Sequence, residues 1–281
     1  MLLNILHGKI FLLCYNKIQH TTMLLKHSST TINYVMVFDL DETLGHFSQL
    51  YVFWSLLTSY INNSNELLFF KLLDLFPKFL RPNILNILKN IRQKKVKNIC
   101  NYVMIYTNNN GPKSWAIMIQ NYFHYKLKYQ LFDKIIGAFK VQGQIVEVCR
   151  TSHGKSMKDL INCSKLPSHS QICFIDDQNH SEMHNENVLY INLKPYTHNI
   201  NFITMASKTY DKMYAYFPKT KSKENFISYI ANNTQSTKLD HLHKSKVEYN
   251  IETIFTNVLI KKIDAFFNSK PRKFTKKNRK L

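Results

Sequence analysis

Four short apolar runs constrain the fold of this chain more than any other feature of its sequence. They lie at 32–38, 100–106, 171–175 and 188–192, and they are rich in β-branched and aromatic residues. Each run is nearly continuous rather than alternating with polar residues, which is typical of strands covered on both faces of a parallel sheet. Since each is too short for a stable free-standing helix, we predict four buried strands.

Helical patterns separate these runs. Pro82 opens a segment with apolar residues on one helical face, and Lys94 and Lys95 lie near its end. Proline suits the first turn of a helix, and positive charge suits its carbonyl end. The same apolar spacing recurs at Trp115, Met118, Ile119, Tyr122 and Phe123. Strands that alternate with helices predict βαβ crossovers, and therefore a doubly wound, mostly parallel α/β sheet.

The pattern divides the chain into a sheet-forming domain and three appendages. The domain covers 32–195 and carries an insert rich in Phe, Leu and Tyr at 48–80, which predicts two short helices after the first strand, packed as core or as a lid over the site. Before the domain, 1–31 contains no acidic residue and fits either a targeting presequence or a poorly ordered segment. After the domain, 196–267 predicts a helical extension, and 268–281 is a basic tail too charged to fold alone.

The net positive charge of the chain indicates which binding partners it could attract. The chain carries 38 Lys and Arg against 18 Asp and Glu, a formal net charge of +20 at pH 7. Such a field attracts nucleic acid, acidic membrane surfaces or phosphorylated substrates, whereas a lysine-rich coding bias would only solvate the surface. Both interpretations stay open, and for the basic tail we favour an acidic or nucleic-acid partner. No apolar stretch of about 18 residues is uninterrupted, so we predict no membrane span.

The five cysteines show no disulfide framework. They are scattered without a C-x-x-C pair, and Cys100 and Cys173 adjoin apolar runs, where we expect buried thiols. An odd number without regular spacing favours a reducing compartment over secretion. We therefore predict an intracellular protein of the nucleus or the cytoplasm.

Polar residues follow three of the predicted strands, at the edge where open α/β sheets bind ligands. They are, in chain order, Asp39, Asp41 and Thr43, then Thr107, and then Asp176 and Asp177. A lysine-bearing stretch at 154–160 precedes the last pair. Because the carboxyl ends of parallel strands meet at one edge, we expect acids, hydroxyls and an ammonium to converge there.

Such a set suits the hydrolysis of phosphate esters. Carboxylates gather around an anionic group only if a divalent cation neutralises them, and Mg²⁺ prefers oxygen ligands. One carboxylate can attack phosphorus and form an acyl-phosphate, while a second acid protonates the leaving oxygen and then activates water. A hydroxyl and an ammonium can hold the remaining phosphoryl oxygens. These residue types therefore predict a Mg²⁺-dependent phosphatase.

The same residues, in this order, resemble the motifs of the haloacid dehalogenase-like superfamily. The stretch at 39–46, Asp-Leu-Asp-Glu-Thr-Leu-Gly-His, looks more narrowly like the phosphatases that act on the C-terminal domain of RNA polymerase II, the NLI-interacting-factor-like group. Leu-Arg-Pro at 80–82 and Lys-Asp-Leu at 158–160 are similar to local motifs of that group. The resemblance covers 32–195 and implies the superfamily's Rossmann-like sheet.

The resemblance also implies catalytic roles. Asp39 would be the nucleophile and a Mg²⁺ ligand, and Asp41 would be the general acid/base and offer its backbone carbonyl to the metal. Thr43 and Thr107 would orient phosphoryl oxygens. Lys158 would stabilise the phosphorylated aspartate.

Two further acids and a second lysine belong to this expectation. Asp177 would complete the metal shell, with Asp176 as a direct or a water-mediated partner. Lys155 competes with Lys158 for the cationic role, and the Asp-Leu that follows Lys158 favours the latter. The chain departs from the group at 178–180, where Gln-Asn-His follows the acid pair, and at Asn108 and Gly45.

Three functions follow from these observations. The first is a phosphatase for phosphoserine and phosphothreonine in a protein substrate, as the match at 39–46 implies. The second keeps the chemistry but acts on nucleotides or nucleic-acid 3′-phosphates, as the basic balance would favour. The third is a non-catalytic basic scaffold.

Overall fold

The computed structural model describes residues 32–235, 237 and 246–269 of the chain. The expected N-terminal segment and all but the first two residues of the basic tail lie outside the described residues, so the predictions for them stay predictions. The strands are β1 (Tyr34–Phe38), β2 (Tyr102–Tyr106), β3 (Lys134–Ile136), β4 (Lys140–Val141), β5 (Gln144–Ile145), β6 (Gln171–Asp176) and β7 (Val188–Asn192).

Five of these strands form a central parallel sheet in the order β3-β2-β1-β6-β7, and β4 and β5 form a separate antiparallel pair. In the register of the sheet, Phe38 is opposite Ile105 on one side and Ile175 on the other. The four predicted runs are confirmed as strands, and so is the α/β class with a parallel sheet. The predicted bounds were wrong by two residues at the start of β1 and of β2.

Eight α-helices accompany the strands in the described part of the chain. They are α1 (Ser48–Ile61), α2 (Glu66–Leu75), α3 (Ile84–Val96), α4 (Lys113–Leu127), α5 (Met157–Ser164), α6 (Phe202–Met213), α7 (Lys223–Thr234) and α8 (Lys246–Asn268). The two helices predicted for the insert are α1 and α2, and a short 3₁₀ turn at Pro77–Phe79 closes it. The helices predicted from Pro82 and around Trp115 are α3 and α4.

The two faces of the sheet are covered unequally. Along β1, Met36 and Phe38 face the larger apolar cluster, whereas Val35 and Val37 face the smaller one, as the period of two in a strand requires. The larger cluster joins the sheet to α1–α4 and α6–α8, and the smaller one joins it to α5. Because both faces are buried, the strands are apolar on both sides, which is why they read as continuous runs.

The C-terminal extension is packed into the same core as the sheet. Phe226 in α7 meets the Phe53 ring in α1 at 6.3 Å between ring centroids, and Phe266 in α8 meets Tyr34 in β1 at 5.4 Å. The Gln49 side chain in α1 also donates to the backbone oxygen of Ile200, 2.7 Å away. The extension therefore buries apolar surface of the insert and of the sheet rather than standing apart.

The cysteines differ from expectation in one respect. Cys149, in the loop after β5, forms a disulfide with Cys163 in α5. The scattered spacing concealed this pair, since it depends on how the loop folds back onto α5, and it removes the support that unpaired cysteines lent to a reducing compartment. Cys100 and Cys173 are buried free thiols, as predicted. Across the described ranges, no helix combines the length and apolar composition that crossing a bilayer would require.

Candidate active site

Three neighbouring strands deliver the candidate residues to one edge of the sheet. Asp39 follows β1 directly, and its backbone N–H donates to the carbonyl of Ile175 in β6 at 2.9 Å, which extends the pairing of the two strands by one residue. Thr107 follows β2, and Asp176 ends β6. The chain builds outward from β1 on one side and then crosses to the other, so β1 and β6 flank the switch point at which open α/β sheets bind ligands.

Three carboxylates meet at this point. One carboxylate oxygen each from Asp39, Asp176 and Asp177 lies within 4.8 Å of the other two, and the three residues are 6%, 1% and 8% exposed. This is the convergence that the sequence predicts for its first and last acidic motifs. All three donors are hard oxygens, so the arrangement fits a hard divalent cation.

Thr43 fixes one member of this cluster. Its hydroxyl donates to Asp177 Oδ1 at 3.1 Å and accepts the backbone N–H of Asp177 at the same distance. The side chain is 1% exposed, so both bonds are shielded from water. The structure thus brings Thr43 to the site but occupies its hydroxyl with Asp177.

The structure brings Lys155 to the carboxylates and leaves Lys158, which the sequence favoured for that place, outside the cluster. The Lys155 ammonium is buried, contacts the Asp39 carboxylate closely, and lies 2.6 Å from Asp176 Oδ2. Lys158 lies on the exposed side of α5. The start of the helix separates them, because Ser156 is the N-cap of α5, so Lys155 precedes the helix and Lys158 lies in its first turn.

The Asp-Leu context that favoured Lys158 has another role. The carboxylate of Asp159 is fully buried and accepts both the backbone N–H and the hydroxyl of Thr151, each at 2.9 Å. Leu160 packs in the smaller core cluster. Asp159 therefore attaches α5 to its preceding loop and Leu160 packs it against the sheet, whereas Lys158 is exposed.

Asp41 lies beside the three-carboxylate cluster and has a partner that the sequence did not indicate. Its Oδ2 accepts a hydrogen bond of 2.6 Å from the Asn109 amide, whereas its buried Oδ1 has no hydrogen-bond partner among the described residues. The backbone N–H of Asn109 in turn donates to the Thr107 hydroxyl at 3.0 Å. Thr107 therefore shapes the turn that carries Asn109 to Asp41.

Arg150 is a second residue that sequence reasoning missed. It is 2% exposed and donates to four backbone carbonyls. The acceptors are those of Thr107, Gly137, His153 and Gly154, at 2.7–3.3 Å. It thereby ties the end of β2 to the loop that precedes Lys155. An arginine in a loop carries no spacing signal, so only the fold reveals this role.

Burial dominates the electrostatics of the site. Desolvation raises the pKa of Asp39 to about 7, against the opposing charge of Lys155. Burial likewise raises the pKa of Asp41, which the Asn109 hydrogen bond partly offsets, and the pKa of Asp177, to which the charge of Asp176 adds. Burial also acts against ionisation of Asp176, yet its contacts with His180 and Lys155 hold its pKa below the ordinary value.

Position rather than pKa distinguishes Asp41 from the acids of the cluster, because burial raises the pKa of Asp39 and Asp177 as well. Carboxylates with raised pKa values gain most from a bound cation, and Asp41, which is outside the three-carboxylate cluster, can hold a proton nearer to neutral pH than an exposed aspartate. A carboxylate nucleophile beside a proton donor is the pairing that ester cleavage needs.

Comparison with known proteins does not add to this picture. No protein-family model, curated protein or solved structure compared with this chain matches it. The functional argument for the chain therefore rests on its own residues and on their geometry.

Proposed function

We propose that the chain is a Mg²⁺-dependent phosphatase of the haloacid dehalogenase-like kind that acts through a phospho-aspartate. The observation that carries this proposal is the buried cluster of Asp39, Asp176 and Asp177 with Lys155 at the carboxyl edge of the sheet. Mg²⁺, held by these three carboxylates, would neutralise charge on the phosphoryl oxygens.

Asp39 and Asp41 divide the chemistry in this proposal. The Asp39 carboxylate attacks phosphorus, the bond from phosphorus to the ester oxygen breaks, and Asp41 gives its proton to the leaving oxygen. In the second half, Asp41 takes a proton from water as that water attacks phosphorus, which releases phosphate and restores Asp39. The Asn109 hydrogen bond to Asp41 Oδ2 keeps that carboxyl oriented while Oδ1 carries the proton.

The other residues hold the phosphoryl group and the acids. Lys155 supplies positive charge beside Asp39, where negative charge builds up in the transition state. Thr43 keeps Asp177 in place. Thr107 acts through the turn to Asn109 and through its own position at the end of β2.

The proposed substrate is phosphoserine or phosphothreonine in a protein, as the resemblance of 39–46 to the polymerase-tail phosphatases implies. The formal charge of +20 favours a second candidate, a nucleotide or nucleic-acid 3′-phosphate. A basic scaffold without catalysis is the third candidate. The buried charged residues of the site argue against the scaffold, because burying acids lowers stability and a scaffold would have no use for them.

One assay separates these functions. Purified protein with Mg²⁺ is given phosphopeptides, 3′-phosphorylated oligonucleotides and a generic aryl phosphate, and phosphate release is measured. We expect hydrolysis of phosphopeptides that a chelator or Asp39→Asn abolishes. As a matched control, Asp211→Asn removes an exposed aspartate that pairs with Lys223 in the C-terminal extension. It should leave the rate unchanged.

The same assay can overturn each part of the proposal. Release from oligonucleotides alone, with strong salt dependence, would move the substrate to nucleic acid. No release from any of the three substrates would refute the proposed enzyme and leave the scaffold.

A further inference from the structure

Arg81 is a buried cation that the proposed chemistry does not use. It follows the 3₁₀ turn that closes the insert, and only 3% of the residue is exposed. Burial lowers its pKa, while the negative charges of Glu252 and Asp177 oppose that effect. An arginine buried to this degree needs a partner for each of its donors, and the identity of those partners shows what it holds.

Three of the partners are backbone carbonyls around the candidate site. Arg81 Nε donates to the oxygen of Thr43 at 2.7 Å, and Nη2 donates to the oxygens of Glu42 and Lys194 at 2.5 and 2.8 Å. Glu42 and Thr43 directly follow Asp41, so a single guanidinium grips two consecutive peptide groups of the loop 39–46. This loop carries the proposed nucleophile and the proposed proton donor.

The backbone of the loop 39–46 has an unfavourable conformation and close contacts that hydrogen bonds from Arg81 can stabilise. Glu42 has φ 61°, a left-handed conformation that is unfavourable for a residue with a side chain. Gly45 lies so close to the insert that an added Cβ would come within 2.4 Å of the Phe79 oxygen. The loop is therefore held in one shape by close backbone contact on one side and by Arg81 on the other.

The fourth partner comes from the far end of the chain. Arg81 Nη1 lies 2.9 Å from Glu252 Oε2 in α8, and the two side chains are 3% and 6% exposed. Arg81 also lies over the Tyr196 ring, with 5.5 Å between the guanidinium carbon and the ring centroid. A helix that begins at Lys246, 54 positions after the sheet ends at Asn192, thus supplies the counter-ion for the residue that binds the loop.

We propose that Arg81 is a positioning residue for the loop 39–46 and that Glu252 holds Arg81 in place, so that α8 of the C-terminal extension is part of the machinery of the active site. The guanidinium is suited to this task because its planar fork donates in several fixed directions at once, which an ammonium cannot do. The proposal deepens the proposed function, and its catalytic readout rests on that function.

Two variants and a matched control test the clamp formed by Arg81 and Glu252. Glu252→Gln keeps a hydrogen-bond acceptor but removes the charge, and Arg81→Lys keeps the charge but loses the fork. Asp264→Asn removes the partner of Lys94 in a partly exposed ion pair between α8 and α3, 2.8 Å long, which does not include the loop. For each protein, amide hydrogen exchange of peptides from 39–46 is measured, together with kcat and KM on an aryl phosphate.

We expect faster exchange in the loop for both clamp variants, with exchange in β1 and β6 unchanged. We expect kcat to fall by about 10- to 100-fold while KM stays within about twofold, because a small misplacement of reacting groups costs rate rather than binding. Asp264→Asn should match the wild type in both measurements. Glu252→Asp, which keeps the charge on a shorter side chain, should lie between the wild type and Glu252→Gln.

Two results would overturn the clamp. One is wild-type loop exchange and wild-type kcat in Glu252→Gln and Arg81→Lys, and the other is an equal loss in Asp264→Asn. If Glu252→Gln does not fold, Glu252→Asp and Arg81→Lys decide the question. Amide exchange of the loop does not depend on catalytic activity. A wild-type protein without phosphatase activity would therefore refute the proposed function, and the exchange measurement would still test the contact between Arg81 and Glu252.

Discussion

The start of α5 at Met157 determines which lysine reaches the candidate site. Ser156 caps the helix, so Lys155 precedes the first turn, and its ammonium reaches Asp39 and Asp176. Lys158 lies three residues further on and is exposed on the first turn of the helix. Two lysines of the same short stretch thus have opposite environments.

This contrast yields a matched pair of variants. Lys155→Ala removes the cation next to the nucleophile, so we expect kcat to fall by about 10²- to 10³-fold, the cost of losing one preorganised stabilising group. Lys158→Ala should leave kcat within about twofold, since it removes only a solvated charge. Steady-state rates on an aryl phosphate with Mg²⁺ check both values, and equal losses in the two variants would contradict the placement of Lys155.

Some residues of the candidate site are predictable from the sequence, and others are not. Asp39, Asp176 and Asp177 are predictable, because each follows an apolar run and the carboxyl ends of parallel strands share one edge. Asn109 and Arg81 are not, since their roles depend on contacts with residues 38 to 171 positions away in the chain. The choice between the lysines needed the position of the helix cap, which a serine in a polar loop does not fix.

At the scale of elements, the insert forms core rather than a simple cover. In α2, Leu68 is 1% exposed, while its neighbour Leu67 is 57% exposed. The Phe69 ring in the same helix meets the rings of Trp54 and Trp115 at 5.4 and 5.2 Å, so α2 connects α1 to α4. This packing places the insert within the cooperative unit of the sheet.

Two leucines of α2 provide the test. Leu68→Ala should lower the free energy of unfolding by about 2–5 kcal/mol, the usual cost of a cavity at a buried leucine. Leu67→Ala, the same change one residue earlier, should alter it by less than about 0.5 kcal/mol. Urea unfolding followed by circular dichroism measures both, and a small effect of Leu68→Ala would show that the insert is not part of the core.

The elements that the sequence did not reveal share a physical cause. β3 has three residues, and β4 and β5 have two each, too few to establish a period. The disulfide between Cys149 and Cys163 likewise depends on the loop that these short strands shape. In contrast, β6 and β7 have six and five residues, each with four consecutive apolar ones, and were predictable to within one residue.

At the scale of the whole molecule, the pH dependence of stability has an identifiable contributor in His124. Its Nε2 accepts the backbone N–H of Phe132 at 3.0 Å, which requires that nitrogen to be unprotonated. Burial, together with the charge of Lys95, lowers the pKa of His124 from 6.5 to about 4 in the folded protein. Below pH 6.5 the unfolded chain therefore binds more protons at this residue than the folded chain does.

The sign of the effect follows directly. As the pH falls from about 6.5 to about 4, protonation of His124 should lower the free energy of unfolding by on the order of 3 kcal/mol, and below that range its contribution should level off. Urea unfolding at several pH values, compared between the wild type and His124→Gln, isolates this contribution, because the amide stays neutral. Identical pH slopes in the two proteins would contradict it.

The helices of the C-terminal extension were predictable from the sequence, but their packing against the rest of the molecule was not. Its helices are visible as amphipathic patterns, but the contacts of Phe226 with Phe53 and of Glu252 with Arg81 join residues that lie more than a hundred positions apart. No periodicity records such contacts. The role of α8 at the site is therefore a property of the folded molecule.

The most direct test of the central claim is to trap the acyl-phosphate. The protein is mixed with Mg²⁺ and an excess of an aryl phosphate, and the reaction is quenched in acid. Borohydride then converts a phosphorylated aspartate to homoserine. Peptide mass spectrometry then locates the change. With an aryl phosphate, whose leaving group departs without a proton, we predict homoserine at position 39 in the wild type and more of it in Asp41→Asn, because the water attack still needs Asp41. We predict none in Asp39→Asn. Turnover without any reduced residue, or with the change at another carboxylate, would contradict Asp39 as the nucleophile.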